Sequence, residues 1–469
     1  MNRFAIASCV SFVLLAACTS LPSSPTPDRI ATGVAEAKAI AATLTAEIPK
    51  PTTTPVPALP TNTPTAIPAT ATRVPITATP TPMAINPTPS APFAHEFRTA
   101  YSLGPLTFHE VSRFGHYQVA SIEVADLDSD GDLDLILASE ENNSIIQVYE
   151  NLGKGVFRNS GNTFAFQSPD ERHWNFGIDV CDLNGDKRPD IVTADAWAGM
   201  NVYFNYGGLR FKQVQNFVFP GMGEVKGIAC ADLNRDRYSD IILGDHNGES
   251  RGDRVLFNDG AGRLIDSGQS ISWDITWDVF SIDLNRDGAP DYISINRYAK
   301  EPSRVHLNNG KGFFTKTFDI PDALDDSYDI KCFAKGDYTY CFIGNSEDLR
   351  GRLNRFLIFD KIGELITNKG FGELNAGTDA MCLVDLNAEG NLELIAGNYN
   401  GNSLAYFFKP DARGILDFER SIPLFVIPQT TSIGCGDLNG DGLIDLVIGA
   451  QDRQNAIMEY RLLLQQPPK

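Results

Sequence analysis

The stretch DLNGDGLID at residues 437–445 decides the fold, because the chain contains the same nine-residue pattern five more times. The other copies are DLDSDGDLD (126–134), DLNGDKRPD (182–190), DLNRDRYSD (232–240), DLNRDGAPD (283–291) and DLNAEGNLE (385–393). Their first residues are 56, 50, 51, 102 and 52 residues apart, and the interval of 102 is two steps of 51 with one copy missing. The chain is therefore built from repeats of about 50 residues.

Each copy carries oxygen-bearing side chains at positions 1, 3, 5 and 9, the spacing that wraps a tight loop around a hard cation such as Ca2+. An EF-hand would need a glutamate at position 12. That position holds Leu137, Thr193, Leu243, Ser294, Ala396 and Ile448, so an EF-hand is excluded. The sequence predicts up to six Ca2+ ions with the ligands Asp126, Asp128, Asp130, Asp134, Asp182, Asn184, Asp186, Asp190, Asp232, Asn234, Asp236, Asp240, Asp283, Asn285, Asp287, Asp291, Asp385, Asn387, Glu389, Glu393, Asp437, Asn439, Asp441 and Asp445.

The segments around each loop are typical of buried β-strands. In the second repeat they are FGIDVCD, PDIVTAD, NVYFNY and LRFKQVQ, separated by Gly, Asn and Asp turns. Four such strands in each 50-residue repeat predict the blades of an all-β propeller. The missing copy falls at DIKCFAKGDYTYCFIGN, where we predict a Cys332–Cys341 disulfide across a hairpin in place of an ion. The count is then seven blades.

The two ends of the repeat region predict how the ring closes. The last repeat ends one strand short, at MEYRLLL, and the segment PLTFHEVSRF (105–114) resembles a fourth strand. This segment can complete the seventh blade and remove an exposed sheet edge. The alternative is a loose N-terminal strand that lies outside the ring.

Residues 93–469 resemble the FG-GAP/VCBS repeats of the integrin α-chain head and of bacterial surface proteins. Phe176-Gly177 and Ile448-Gly449-Ala450 match the residues that name the family. The resemblance implies a seven-bladed propeller with calcium loops, and it leaves the ligand open. Lys187 and Arg237 depart from the pattern, because they stand where a sharp turn prefers glycine. Glu389 and Glu393 depart from it as well, since they replace aspartates in the sixth blade.

The first 92 residues predict where the protein works. A positive start and an apolar stretch end in Leu15-Ala16-Ala17-Cys18, which resembles a lipobox. Residues 1–17 are then a lipoprotein signal peptide, Cys18 is acylated, and the protein is anchored at the cell surface or outer membrane; an ordinary secretory peptide is the alternative. Residues 18–92 form an Ala-rich and then Thr/Pro-rich tether, which cannot build a core.

Charge and cysteine content agree with an exported, metal-binding protein. The net charge of −20 argues against nucleic acid as a partner, and six Ca2+ ions would reduce it to −8. Strand alternation places Cys181 and Cys382 on one face of their blades and Cys230 and Cys435 on the other. We therefore predict the disulfides Cys181–Cys230 and Cys382–Cys435 between neighbouring blades, with buried free thiols as the alternative.

The sequence contains no HExxH, GxSxG or phosphate-binding motif, so we predict a non-catalytic, monomeric module that binds a glycan or a surface protein. A polysaccharide-degrading enzyme or its accessory domain, and a structural partner within an envelope complex, remain alternatives. Arg251-Gly252-Asp253 is interpreted as a chance integrin-type tripeptide in an exposed turn. The four tryptophans fall on the rim opposite the calcium loops and predict a stacking surface there, unless they only pack between blades: Trp174, Trp197, Trp273 and Trp277.

Overall fold

A computed structural model describes the chain from Thr99 to Gln466, with gaps. The described residues are 99–101, 106–114, 119–139, 145–165, 175–195, 199–217, 219, 224–246, 252–272, 274–298, 301–321, 326–345, 352–374, 376–425, 427, 429–452 and 457–466. The predicted signal peptide, Cys18 and the tether to residue 92 lie outside them. Within the described residues, no helix has the length and apolar character needed to cross a membrane.

The described strands form seven antiparallel sheets, and each of six sheets is four consecutive strands. The first three blades are β3 (Val119–Ala125), β4 (Asp134–Ser139), β5 (Ile145–Asn151) and β6 (Phe157–Ala165); β7 (Asn175–Cys181), β8 (Asp190–Asp195), β9 (Gly199–Asn205) and β10 (Phe211–Phe217); and β11 (Val225–Ala231), β12 (Asp240–Asp245), β13 (Arg254–Asn258) and β14 (Leu264–Asp266).

The next three blades follow the same order. They are β15 (Thr276–Ile282), β16 (Asp291–Asn296), β17 (Arg304–Asn308) and β18 (Phe314–Asp319); β19 (Ser327–Lys335), β20 (Tyr338–Asn345), β21 (Asn354–Asp360) and β22 (Leu365–Phe371); and β23 (Thr378–Val384), β24 (Glu393–Asn398), β25 (Ser403–Pro410) and β26 (Leu416–Phe425).

The seventh blade joins the two ends of the repeat region. It contains β27 (Thr430–Gly436), β28 (Asp445–Asp452) and β29 (Ile457–Gln466), and β2 (Thr107–Phe114) pairs with β29 as the fourth strand. This confirms the predicted closure by the N-terminal strand. A short strand that the sequence did not predict, β1 (Thr99–Tyr101), adds to the outer edge of β2.

The first strand of every blade lies innermost and contacts the first strands of both neighbours. The series of contacts closes through β27 and β3, so the sheets form a complete ring. The hydrophobic cores lie between blades; Leu127 and Val148 of blade 1, for example, pack with Ile191 and Tyr203 of blade 2. The inner strands approach so closely that a Cβ on Gly227 would lie 2.7 Å from the backbone nitrogen of Val279. Side-chain burial on both faces of each blade stabilises the ring.

All three predicted disulfides are present. Cys332 and Cys341 are direct partners across the β19–β20 hairpin of blade 5, which replaces the missing loop. Cys181–Cys230 joins the inner strands of blades 2 and 3, and Cys382–Cys435 joins those of blades 6 and 7. Both disulfides between neighbouring blades join the cysteines that strand alternation predicted.

Candidate functional site

The six acidic loops connect the first strand of a blade to its second strand, so they lie on one rim of the ring, which we call the loop rim. In every loop the aspartate at position 1 folds the turn by accepting backbone hydrogen bonds. Asp437, for example, accepts from the amide nitrogens of Gly440 and Gly442, both at 2.8 Å. The carboxylate therefore preorganises its own loop.

Positions 4 and 6 of the loops adopt the left-handed backbone conformation. The residues with positive φ at position 4 are Ser129, Gly185, Arg235, Arg286, Ala388 and Gly440, and at position 6 they are Gly131, Lys187, Arg237, Gly288, Gly390 and Gly442. Lys187 has a φ of 68° and Arg237 a φ of 77°, as expected for positions where the sharp turn favours glycine. Both bear a Cβ in a conformation that disfavours one.

The structure brings together three of the four cation ligands that the sequence predicts in the first loop. In the first loop, carboxylate oxygens of Asp126, Asp128 and Asp130 lie within 4.8 Å of one another. In the fourth loop, Oδ1 of Asp283 is buried and has no hydrogen-bond partner. Burial, and then the neighbouring Asp130 charge, raises the pKa of Asp128. Because an all-oxygen donor set and an orphaned carboxylate oxygen both suit Ca2+, the residues present fit that ion.

Position 9 has a second role that the sequence did not reveal. Asp134 is fully buried; its two oxygens accept from the amide nitrogens of Leu127 (2.9 Å) and Asn151 (2.8 Å). Burial raises the pKa of this carboxyl to about 7. The position-9 carboxylate therefore ties the loop to the third strand, and each oxygen keeps a lone pair for a cation. Glu393 of the sixth blade makes the corresponding bond to Leu386 N, at 2.9 Å.

An asparagine at the end of the third strand fixes four of the six loops to the next blade, and Gln465 makes the corresponding bond to Leu386 of a fifth loop at 3.3 Å. Asn205 Nδ2 donates to the carbonyl of Leu127, at position 2 of the preceding loop, over 2.6 Å. The same bond links Asn151 to Leu438, Asn258 to Leu183 and Asn308 to Leu233. These asparagines were not predicted from the sequence, although the tripeptides NLG, NYG, NDG and NNG recur there at the end of the third strand.

The second loop contains a cation of its own. The guanidinium of Arg188, at position 7, pairs with the carboxylate of Asp186, at position 5, and also donates to the carbonyl of Asn205 at 2.8 Å. This ion pair would compete with a metal for Asp186, one of the predicted ligands. The second loop is therefore marked by this Arg188–Asp186 ion pair, whereas the left-handed backbone of its Lys187 is shared with Arg237 of the third loop.

The opposite rim carries a cluster of aromatic and basic side chains, which we call the Trp277 cluster: Lys226, His246, Trp277, Arg297, Tyr298 and Tyr328. The Arg297 guanidinium lies 3.9 Å from the Trp277 ring centre and 4.0 Å from that of Tyr328. The His246 ring contacts Trp277 at 5.0 Å. Burial, followed by the charges of Lys226 and Arg297, lowers the pKa of His246 to about 3, so this imidazole is neutral.

Tyr298 is the member of this cluster that faces solvent, with 51% of its surface exposed. Its backbone is left-handed, with φ of 63°, which is rare for a bulky residue. Asp326 of the next blade holds it there, because Oδ1 accepts from both Tyr298 N (3.0 Å) and Arg297 Nε (3.1 Å). The strained backbone of Tyr298 is held by Asp326, so its exposed ring is fixed in position and offers a preorganised contact surface.

The other three tryptophans and the Arg251-Gly252-Asp253 turn were also predicted to lie at the surface. Trp174, Trp197 and Trp273 lie outside the described residues, so their place on this rim stays a prediction. The expectation that the Arg251-Gly252-Asp253 turn is exposed is wrong for its aspartate, which is 1% exposed. Asp253 accepts from Asp245 N at 3.0 Å and from the Tyr292 hydroxyl at 3.1 Å, and it therefore belongs to the interior of blades 3 and 4.

Comparison with known proteins identifies two of the repeats as similar to a known repeat family. Residues 126–193 and 182–243 match the family model of the FG-GAP-like repeat. Among solved structures, two crystal structures of BBS1N in complex with ARL6DN, soaked with mercury or with lead, are each 12% identical. The first has a TM-score of 0.48 and covers 77% of this chain and 98% of that one; for the second the values are 0.45, 76% and 97%. No curated protein sequence matches the chain.

Proposed function

We propose that this seven-bladed propeller of FG-GAP-like repeats is a calcium-stabilised, lipid-anchored module that binds a glycan or protein ligand outside the cell membrane. Three disulfides support a location outside the reducing cytoplasm. The lipobox-like Leu15-Ala16-Ala17-Cys18 supports the lipid anchor, with the Thr/Pro-rich segment as spacer. Replacing Cys18 with Ser should abolish incorporation of a labelled fatty acid and release the protein from membranes.

Calcium would act on the loop rim as a structural ion. The carboxylates and amides at positions 1, 3, 5 and 9 would hold it, and it would offset the repulsion among side chains that the fold brings within a few ångströms. The four Asn bonds to the preceding blade would then couple the order of these loops to the neighbouring blade. The second loop should bind Ca2+ with the lowest affinity of the six, because Arg188 already neutralises the charge of Asp186.

The ligand would bind on the rim that carries the Trp277 cluster. The observation that carries this proposal is Tyr298, an exposed ring in a strained conformation anchored by Asp326. Its free face suits a sugar ring or an apolar side chain of a partner protein. Arg297, immobilised between Trp277 and Tyr328, keeps the surrounding side chains in place with little entropy left to lose on binding.

The test compares two tyrosines with nearly equal exposure. Tyr298 is 51% exposed on the Trp277 rim and Tyr206 is 49% exposed on the loop rim. The purified protein is screened against immobilised oligosaccharides and envelope proteins, and the affinity of the best binder is measured by calorimetry. Tyr298→Ala should weaken binding at least about tenfold, or ~1.4 kcal/mol, whereas Tyr206→Ala should not. The reverse result would place the ligand on the loop rim and refute the assignment.

A further inference from the structure

Ionisable side chains from four different blades converge on the axis of the ring. Glu123 lies on β3 of blade 1, Asp179 on β7 of blade 2, Asp278 on β15 of blade 4, and Asp329 and Lys331 on β19 of blade 5. The charges of all the other four act on Glu123. Blades 1 and 4 are not neighbours, so their side chains can interact only across the axis. We call these five residues the axial cluster.

The cluster also links neighbouring inner strands through the backbone. Asp179 Oδ2 accepts from Cys230 N of the next blade at 2.7 Å, and Asp329 Oδ2 accepts from Met381 N. Asp278 accepts from Ile330 N of blade 5. Three backbone amides of the inner strands, those of Cys230, Ile330 and Met381, are therefore satisfied by these carboxyls. Lys331 Nζ donates to Asp329 Oδ1 at 2.8 Å.

We propose that the axial cluster is a pH-sensitive latch, which holds the inner strands together while some of its carboxyls carry protons and loosens the ring as they ionise. Four carboxyls face one lysine, so full ionisation would leave three uncompensated negative charges around the axis. The described inner strands carry three other charged side chains. Lys226 lies against Trp277 and Glu224, and Lys335 donates to Asn391 on the loop rim. Asp379 lies on β23 of blade 6.

Titration of the cluster follows from its place on the inner strands, where Glu123, Asp179 and Asp278 are half-buried. Burial, followed by the Asp179 charge, raises the pKa of Glu123 to about 8, and burial raises the pKa of Asp278 to about 7 and of Asp179 to about 6. These carboxyls bind protons more tightly in the folded chain than in the unfolded chain. Their contribution to stability is therefore present at pH 4 and is lost as the pH rises through about 6 to 8.

The test is the pH dependence of stability in the purified full-length protein. Urea midpoints are measured from pH 5 to pH 9 in a constant excess of Ca2+, so that the loop carboxyls remain compensated. Glu123→Gln and Asp278→Asn imitate the protonated forms and should each flatten the decline. The ratio of the folding constant of Glu123→Gln to that of the unaltered protein should rise by at least about tenfold between pH 5 and pH 9.

Controls separate the latch from general effects of charge. Asp337→Asn alters an exposed carboxyl of the β19–β20 hairpin and should keep the original pH profile. Lys331→Met removes the compensating cation and should lower the midpoint more at pH 9 than at pH 5. If neither Glu123→Gln nor Asp278→Asn flattens the profile, the latch is refuted. If one of the two fails to fold, the other decides.

Discussion

At position 6 of the loops two residues other than glycine are strained, and replacing them with glycine should stabilise the fold. Lys187 and Arg237 have φ of 68° and 77° at turns where four other loops use glycine. Lys187→Gly should raise the free energy of unfolding by ~1 kcal/mol, because glycine adopts this conformation without steric conflict. Lys187→Ala retains the Cβ and serves as the control. Urea denaturation would contradict the argument if alanine stabilised the chain as much as glycine.

Single residues also show which properties can be predicted from the sequence and which cannot. The glycine preference at position 6 is a local property, so the sequence predicted it for Lys187 and Arg237. The fate of Asp253 is not local, because its burial depends on Tyr292 in the following blade. The same holds for Tyr298, whose conformation depends on Asp326, 28 residues away in the chain. Contacts between blades are set by packing, which turn composition does not encode.

At the scale of the hairpin, six loops and one disulfide occupy equivalent places, and this predicts a difference in metal dependence. EDTA should lower the melting temperature, since an ion at 100 times its dissociation constant stabilises by ~2.7 kcal/mol. Asp441→Ala, at position 5 of the last loop, should lower the melting temperature only in Ca2+. Asp337→Ala, on the blade 5 hairpin that lacks the carboxylate motif, is the matched control. Equal melting in EDTA and in millimolar Ca2+ would refute calcium binding.

Strands and loops were predictable because the motif recurs in strict register, whereas the axial cluster was not. Each inner strand has a register shift near its start, for example between Thr276 and Asp278 and between Ser327 and Asp329. Such a shift breaks the simple alternation of faces on which a sequence argument relies. The cysteines lie after the shift, so alternation placed them correctly. Asp278 and Asp329 lie at the shift, and their direction toward the axis could not be read from the sequence.

At the scale of the whole molecule, the ring closes through the pairing of β2 with β29, which none of the three disulfides spans. β2 pairs with β29 from Thr107–Gln466 to Phe114–Tyr460, and it buries Phe108 and Val111 in the cores that flank the seventh blade. Without β2, the seventh blade would expose an unpaired strand edge and these two cores would lose large apolar side chains.

Two truncations test this dependence. A chain that begins at residue 99 keeps β2 and should melt as the full-length protein does. A chain that begins at residue 115 lacks β2, and it should melt at a lower temperature and associate, because β29 then offers its free edge to another molecule. Light scattering coupled to size exclusion measures the association. If the shorter chain stayed monomeric with an unchanged melting temperature, the ring would not depend on closure by the N-terminal strand.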